Sequence, residues 1–466
     1  MLTLALLATL SAFSGGLPAR TPADVGMSAA RLEVIDRVVQ RGIKGGGYPG
    51  AAVVVGRKGA AVIEKGYGTL DWSGKAPVVP ASSIYDLASL TKVVGTTMAA
   101  MILYDEGKLE LDAPVRKYVP GFSGGLKDQV TVRQLLTHRS GLPAGRDLWR
   151  IARTPAQARE AVISTKLSAK PGARYVYSDL GADMLAFVVE EISGEKLDGF
   201  LHERVFAPLG MDDTGFRPAD SLRYRTAPTE LAPPRGYPLR GEVHDENAYA
   251  LGGVAGHAGL FSTAADLSVF AQMMLNGGVY NGVRIVSEET VRLFTTRAAK
   301  TSTRALGWDT AGDSVESGTG AGTYLSEHAF GHTGFTGTSI WVDPDRELFV
   351  ILLTNRVHAA RAKRPARVIA DVRADLADAA AFAVVDLPTR YMASTVNFRS
   401  DHPVGWNEPT PVRKVTASQS ARSKAAANAR AAKKAPAKKA VAKKAVATKA
   451  PAKKAPTAGK GGSGTK

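Results

Sequence analysis

Apolar residues recur along the chain with two distinct periods, and their order outlines a mixed fold. From Ser28 to Ile43 the positions Leu32, Ile35, Val39 and Ile43 fall on one side of a helical projection, which predicts an amphipathic helix broken by Gly45-Gly46-Gly47. Ala51–Gly56 and Ala60–Gly68 are β-rich runs around Arg57-Lys58-Gly59, a hairpin signal. A helix is predicted from Ser89 to Tyr104, stopped at Gly107. Thr131-Val132-Arg133-Gln134 is a capping box that opens a short helix, with Gly141 and Pro143 as its stop. Helical patterns also cover Leu180 to Ile192 and approximately Leu197 to Phe206, Ala264 to Leu275 and Ser287 to Phe294. Between them, Arg217 to Asn247 is rich in Pro, Arg and Gly and reads as a long ordered surface loop.

Strand character returns at Leu306–Trp308, Thr338–Val342 and Leu348–Thr354, the last two joined by the turn Asp343-Pro344-Asp345-Arg346. A helix then runs from Arg364 to Phe382. Strands at both ends and helices between them predict an α/β (α+β) fold. One sheet would be built from residues 28–88 and 305–386 and covered by the terminal helices, with a mostly helical insertion at 89–304.

Composition sets the limits of that domain. The chain has 466 residues, 44% of them hydrophobic, enough for a large core. It has no cysteine, which excludes disulfides, thiolate metal sites and a cysteine nucleophile. The net charge of +17 is uneven: residues 413–466 hold sixteen of the 60 Lys and Arg and no Asp or Glu, so the body is nearly neutral. That Lys/Ala/Pro-rich tail has no aromatics and predicts disorder. It suits attachment to a polyanion, a nucleic acid or an anionic envelope polymer, and equally a solubilising role. Residues 387–412 read as a linker. Residues 1–24 read as an export signal or a disordered leader: the apolar run at 2–10 is too short to span a bilayer and has no basic residue before it. Export to the periplasm or exterior is the expectation, with a cytoplasmic protein as the alternative. The globular domain is set at 25–386.

Candidate chemistry begins at Ser89-Leu90-Thr91-Lys92. Residues three apart on a helix share a face, and a lysine beside a serine can help move the hydroxyl proton. Farther along, Tyr177-Ser178-Asp179 follows the turn Pro171-Gly172, and His332-Thr333-Gly334 leads into a strand. The order S-x-x-K, Y-S-D, H-T-G resembles the penicillin-recognising serine hydrolases: penicillin-binding DD-peptidases, class C β-lactamases and esterases of that fold. The resemblance covers roughly residues 28–385, with supporting blocks at 131–143 and 253–263. It implies a β-lactamase/transpeptidase-like fold with the active site between sheet and helical parts, no cofactor, and a small-molecule or peptidoglycan-peptide acyl donor.

On the matching positions the resemblance implies Ser89 as the nucleophile, Lys92 as the amine beside it and Tyr177 as the proton shuttle. A phenol needs adjacent positive charge to act as a base near neutrality, and Lys92 is the candidate supplier. The N–H groups of Ser89 and Phe335 would form the oxyanion hole, with Gly334 between Phe335 and the substrate edge formed by His332 and Thr333. Two departures stand out. Asp179 occupies a position where these enzymes usually carry Asn, and an ionised carboxylate accepts but does not donate. His332 stands where Lys is more frequent. Both changes point away from an efficient β-lactamase and towards a DD-carboxypeptidase or carboxylesterase.

The other histidines carry weaker signals. His138 reads as architectural, while the resemblance implies that His257 and the stretch His244–Asn247 would approach the cleft on long loops. His328 and His332 have i,i+4 spacing, but Gly331 and the following Thr-Gly disfavour a helix, so no metal site is assigned. Acyl-enzyme hydrolysis is the leading function, with β-lactamase activity as one alternative. A non-catalytic envelope- or nucleic-acid-tethered binding protein is the alternative of another class.

Overall fold

The computed structural model describes residues 16–297, 302, 304–311, 320–387 and 397–408. The basic tail and the apolar run of the leader lie outside the described residues. Residues 16–24, assigned to the leader, belong to the domain: Leu17 is buried and Ala19 bridges Ala61.

A six-stranded sheet organises the molecule. Its strands are β1 (Gly50–Arg57), β2 (Ala60–Gly68), β6 (Asp309–Thr310), β7 (Phe330–Thr333), β8 (Ser339–Asp343) and β9 (Leu348–Thr354), in the order β2-β1-β9-β8-β7-β6, and every neighbour is antiparallel. A smaller sheet pairs β3 (Tyr85–Asp86) and β4 (Gly215–Phe216) on either side of β5 (Leu260–Ser262). Both ends of the chain therefore build the large sheet. Lys58 and Gly59 hold positive φ at the β1–β2 turn, where glycine is favoured and the right-handed twist of the strands is matched.

β1 and β9 are buried on both faces, and their alternate residues enter two different cores. Val53, Val55, Val350 and Leu352 pack against helix α1 (Ala29–Lys44) and helix α5 (Pro365–Ala383). Val54, Ile351 and Leu353 pack against the helical side, which includes α2 (Met98–Asp105), α3 (Asp179–Ser193) and α4 (Ala264–Leu275). The helices end where their caps say they should. Ser28 accepts from Arg31 N–H before α1, Thr131 and Gln134 complete a capping box, and Gly194 closes α3 in the left-handed region.

Four expectations need correction. The helix opening at Ser89 is composite: a 3₁₀ turn at Ala88–Leu90, a π-helix at Thr91–Thr97, then α2. The Thr91 and Thr96 side chains bond Leu260 N–H and the Gly256 carbonyl instead of facing solvent, so the wide segment is held by tertiary partners. Leu306–Trp308 is no strand but a buried turn, in which Gly307 has φ of 86° and Trp308 packs edge-on to Phe330. Residues 397–408, assigned to the linker, contain a 3₁₀ turn at Arg399–Asp401 and bury Phe398 and Trp406 in the α1–α5 core. The 217–247 stretch is no mere surface loop, since Leu239, Val243 and His244 are buried. Among the described residues no helix is long and apolar enough to cross a membrane.

Candidate active site

Ser89 sits where the two halves of the fold meet. Ala88, just before it, is buried and holds φ of 47°, an uncommon value for a residue with a Cβ. Asp86 holds this turn by accepting from Ala88 N–H (2.8 Å) and His244 N–H (2.7 Å). Burial raises the Asp86 pKa to about 6, and those two N–H groups oppose the rise.

Lys92 lies one helical turn on and is 4% exposed. Its Nζ donates to Ser89 Oγ (3.0 Å) and to the His257 carbonyl (3.2 Å), and pairs with Asp179 Oδ1 at 2.8 Å. It also lies 4.8 Å from the centre of the Tyr177 ring. Burial alone would lower its pKa; the Tyr177 and Asp179 charges outweigh burial and hold it above the ordinary lysine value. Burial raises Asp179, but Lys92 and His257 outweigh it and keep this carboxyl below its ordinary value. Lys92 is thus an ammonium at neutral pH.

Tyr177 is set by its flanks. Ser178 caps α3 by accepting from Gly181 N–H, and its own N–H donates to His138 Nδ1 (3.0 Å). The His138 ring lies 4.6 Å from that of Tyr177, and the His332 ring stacks on it at 6.0 Å. Both imidazoles are buried, and burial followed by the Arg304 and Lys92 charges holds their pKa values well below normal, so both are neutral. His332 therefore departs from its expected place at an open substrate edge. It is shut between Tyr177 and the strand, with Nδ1 bonded to the Thr333 carbonyl (2.8 Å). Arg304 is a second cation beside Tyr177, after Lys92. Its guanidinium lies 5.4 Å from the Tyr177 ring centre, pairs with Asp309 at 2.8 Å and donates to the Tyr175 hydroxyl at 3.2 Å.

The turn after β7 closes the other wall. Thr336 and Thr338 hydroxyls donate to the carbonyls of Asp86 (2.7 Å) and Leu87 (3.0 Å), tying this turn to the residues just before the nucleophile. A methyl at Gly334 would overlap the Leu87 carbonyl and the Thr338 hydroxyl, so only glycine fits. Behind it the half-buried Arg373 of α5 donates to the Gly334 and Thr338 carbonyls, at 2.6 and 2.8 Å. Phe335 is exposed at the end of the turn, beneath Arg356. A cleft of about 510 Å³ opens beside it, lined by Leu231, Pro238 and Val357 and by Glu230 and Arg356. A larger cavity, about 620 Å³, lies between α4, Glu288–Thr295 and the β6 edge and contains none of these residues.

The structure thus brings Ser89, Lys92, Tyr177 and Asp179 together, sets Gly334 against the residues that precede Ser89, and packs His332 behind Tyr177. The family model described as Beta-lactamase matches residues 35–374. The chain belongs to the beta-lactamase family. It is a serine hydrolase of that fold. A protein of Escherichia coli (strain K12) named "Putative D-alanyl-D-alanine carboxypeptidase" is 34% identical, over 77% of this chain and 91% of its own length. Among solved structures, "EstCE1, a hydrolase with promiscuous acyltransferase activity" superposes with a TM-score of 0.59 at 24% identity, covering 74% of this chain and 99% of that one. A class C beta lactamase gives 0.60 at 19% identity, covering 74% and 97%. These structural likenesses establish the fold.

His138, Arg304, Asp86 and Arg373 escaped the sequence reading as site residues. His138 alone had a signal, because it lies in the block Leu135-Leu136-Thr137-His138-Arg139-Ser140-Gly141 that carries part of the resemblance.

Proposed function

We propose that this beta-lactamase-family enzyme is a DD-carboxypeptidase-like hydrolase working through an acyl-enzyme on Ser89. The observation that carries the reading is the triple engagement of Lys92, whose buried ammonium touches Ser89 Oγ and Asp179 and lies over the Tyr177 ring. Ser89 Oγ attacks the scissile carbonyl and its proton passes to Tyr177, while the Lys92 charge favours the negative phenolate. The new C–O bond forms as negative charge moves to the carbonyl oxygen, which the N–H groups of Ser89 and Phe335 receive. Collapse breaks the C–N bond, the leaving amine takes the proton back from Tyr177, and water then hydrolyses the ester.

The peptide reading is supported by the name of the E. coli relative. It is supported as well by Arg304, whose buried Nη1 has no hydrogen-bond partner among the described residues. A free carboxylate at the end of a peptide is the group that a buried guanidinium recognises best. The cleft beside Phe335 then takes the acyl side, since the leaving side must reach Tyr177. A second reading, cleavage of a compact neutral ester, is favoured by the ionised Asp179, which repels anionic donors.

The test is intact-mass detection of an acyl adduct after exposure to penicillin, a D-Ala-D-Ala peptide and p-nitrophenyl esters in parallel, for wild type and Ser89→Ala. An adduct with D-alanine release in the wild type, both absent in Ser89→Ala, is the expected outcome. An adduct that survives in Ser89→Ala refutes the nucleophile, and turnover of esters alone selects the second reading.

A further inference from the structure

A second cluster of charges adjoins Lys92 and takes no part in the steps above. Both ring nitrogens of His257 face carboxylates: Nδ1 lies 2.7 Å from Asp183 Oδ1, and Nε2 lies 2.9 Å from Asp245 Oδ1. An ionised carboxylate only accepts, so both contacts are hydrogen bonds only when both nitrogens carry protons, which makes the ring an imidazolium. The residue is 2% exposed. Burial opposes its charge, but Asp183, Asp245 and Asp179 outweigh burial and hold its pKa well above the ordinary histidine value.

The same residue touches the catalytic machinery through its backbone. Its carbonyl accepts from Lys92 Nζ at 3.2 Å. The neighbouring Gly256 donates its N–H to Asp183 and accepts from the Thr96 hydroxyl, and Leu260 N–H donates to Thr91 Oγ1. Residues 256–260 are therefore laid along the helix that carries Ser89 and Lys92. A methyl at Gly256 would overlap the Ala182 carbonyl, so the segment is also pressed against α3.

We propose that His257 is a positioning residue for acylation: bridging Asp183 and Asp245 as a cation, it aims its own carbonyl at the Lys92 ammonium and offsets the carboxylates beside that lysine. The proposal rests on the acyl-enzyme reading of Ser89 and deepens it. The charged and titratable groups around the unit are Lys92 from the nucleophile helix, Asp179 and Asp183 from α3, and Asp245 with the nearby Asp86. On the far side of Lys92 stand Tyr177, Arg304, His138 and His332. Asp245 also caps the short helix Glu246–Ala250 by accepting from Asn247 and Ala248 N–H groups.

Two substitutions in the full chain pull in opposite directions. His257→Gln removes a positive charge and leaves three carboxylates near one ammonium. The proton of the general base is then held more tightly, and the acidic limb of the kcat/KM profile moves up. Asp245→Asn removes a negative charge, keeps an N-cap residue and leaves His257 charged beside Asp183, so the limb moves down. Each displacement is about one pH unit, as expected of a unit charge within roughly 10 Å at an effective dielectric near 20. In His257→Gln kcat also falls by about tenfold to a hundredfold with KM nearly unchanged, because a tilted Lys92 misplaces the reacting pair.

A merely structural role shifts the melting temperature and leaves both limbs in place; that result, or limbs moving in the same direction, overturns the proposal. Should His257→Gln fail to fold, Asp245→Asn decides the kinetic part alone. A ¹H–¹⁵N spectrum of the wild-type histidine side chains at mildly alkaline pH reads the ring directly, with His257 identified through spectra of Asp245→Asn. Two protonated nitrogens are expected, and a single N–H tautomer overturns the proposal without reference to turnover. Absence of any Ser89 adduct in the wild type overturns the parent reading instead, and the positioning role with it.

Discussion

Replacing Asp179 with asparagine removes a negative charge 2.8 Å from the Lys92 ammonium while keeping the side-chain shape. Two unit charges at that separation interact by about 6 kcal/mol at an effective dielectric near 20. Lys92 is buried, but the Asp179 side chain is 34% exposed. Solvent screening at the carboxylate reduces the effective interaction to about 2 kcal/mol, or ~1.5 pH units. The sign follows from the site. Asp179 partly neutralises the Lys92 ammonium, so losing it leaves that charge freer to favour the Tyr177 phenolate that takes the Ser89 proton. In Asp179→Asn the acidic limb of kcat/KM therefore moves to lower pH by about one to one and a half units. Penicillin, an anion, also loses a like-charged neighbour, and its acylation rate at neutral pH rises about tenfold. The assay is the rate of covalent labelling by a fluorescent penicillin, run beside hydrolysis of a neutral p-nitrophenyl ester across the acid and neutral range. A limb that does not move in either assay means that Lys92 is uncoupled from acylation, and the role assigned to it fails.

Two predictions concern stability instead of chemistry. Asp266 is buried near the start of α4, and burial raises its pKa to about 6, opposed by the Thr214 hydroxyl and Asp213 N–H. A carboxyl raised in the folded state contributes stability that is complete below the unfolded value of 3.8 and is lost as pH rises through 6. Relative to Asp266→Asn, the wild type should gain about 2 kcal/mol on going from neutral pH to near pH 4, measured by urea unfolding; a pH-independent difference contradicts this. Trp406 is buried against the α1–α5 core and donates Nε1–H to Asp371 at 2.8 Å. Trp406→Ala should cost about 3–5 kcal/mol in the same assay and leave the acylation rate at low temperature unchanged. A loss below about 1 kcal/mol would place the segment outside the cooperative fold.

Where a local pattern had one structural solution, it was legible in the chain. Leu348–Thr354 is short, continuous and apolar, and β9 occupies those seven residues because both its faces are buried. α1 follows from a Ser cap and a single apolar stripe. Leu306–Trp308 misled because an apolar run marks burial, not extension, and Gly307 bends it under Thr97. The π-helix at Thr91–Thr97 was invisible because its apolar spacing matches that of an α-helix, while the hydroxyl partners that hold it lie some 160 residues away. Residues 397–408 looked like a linker for the same reason. Their anchors, Asp371 and Asp375, sit on the buried face of α5, and a polar residue on a helix announces no partner from sequence.

The site divides along the same line. Ser89 and Lys92 stand three apart, so their meeting is a local property of helical geometry. Tyr177 and Gly334 enter through ordered motifs, the first after a Pro-Gly turn and the second before a strand. The electrostatics of the site is not local at all. Lys92 keeps its proton because Tyr177 and Asp179, 85 and 87 positions along the chain, sit beside it. His257 is charged because Asp183 and Asp245 converge on its ring, although 74 and 12 positions separate them from it in sequence. The signal for that convergence lies in the small residues on either side of His257. A Cβ at Gly256 would overlap the Ala182 carbonyl of α3 and one at Gly259 the Gly253 carbonyl of the loop itself, so the loop can lie against α3 and fold back on itself only with glycine there. A polar residue framed by close-approach glycines marks a buried polar contact. Which charge it carries is decided by partners that only the fold supplies, so a motif can locate a nucleophile while leaving the charge balance around it unread.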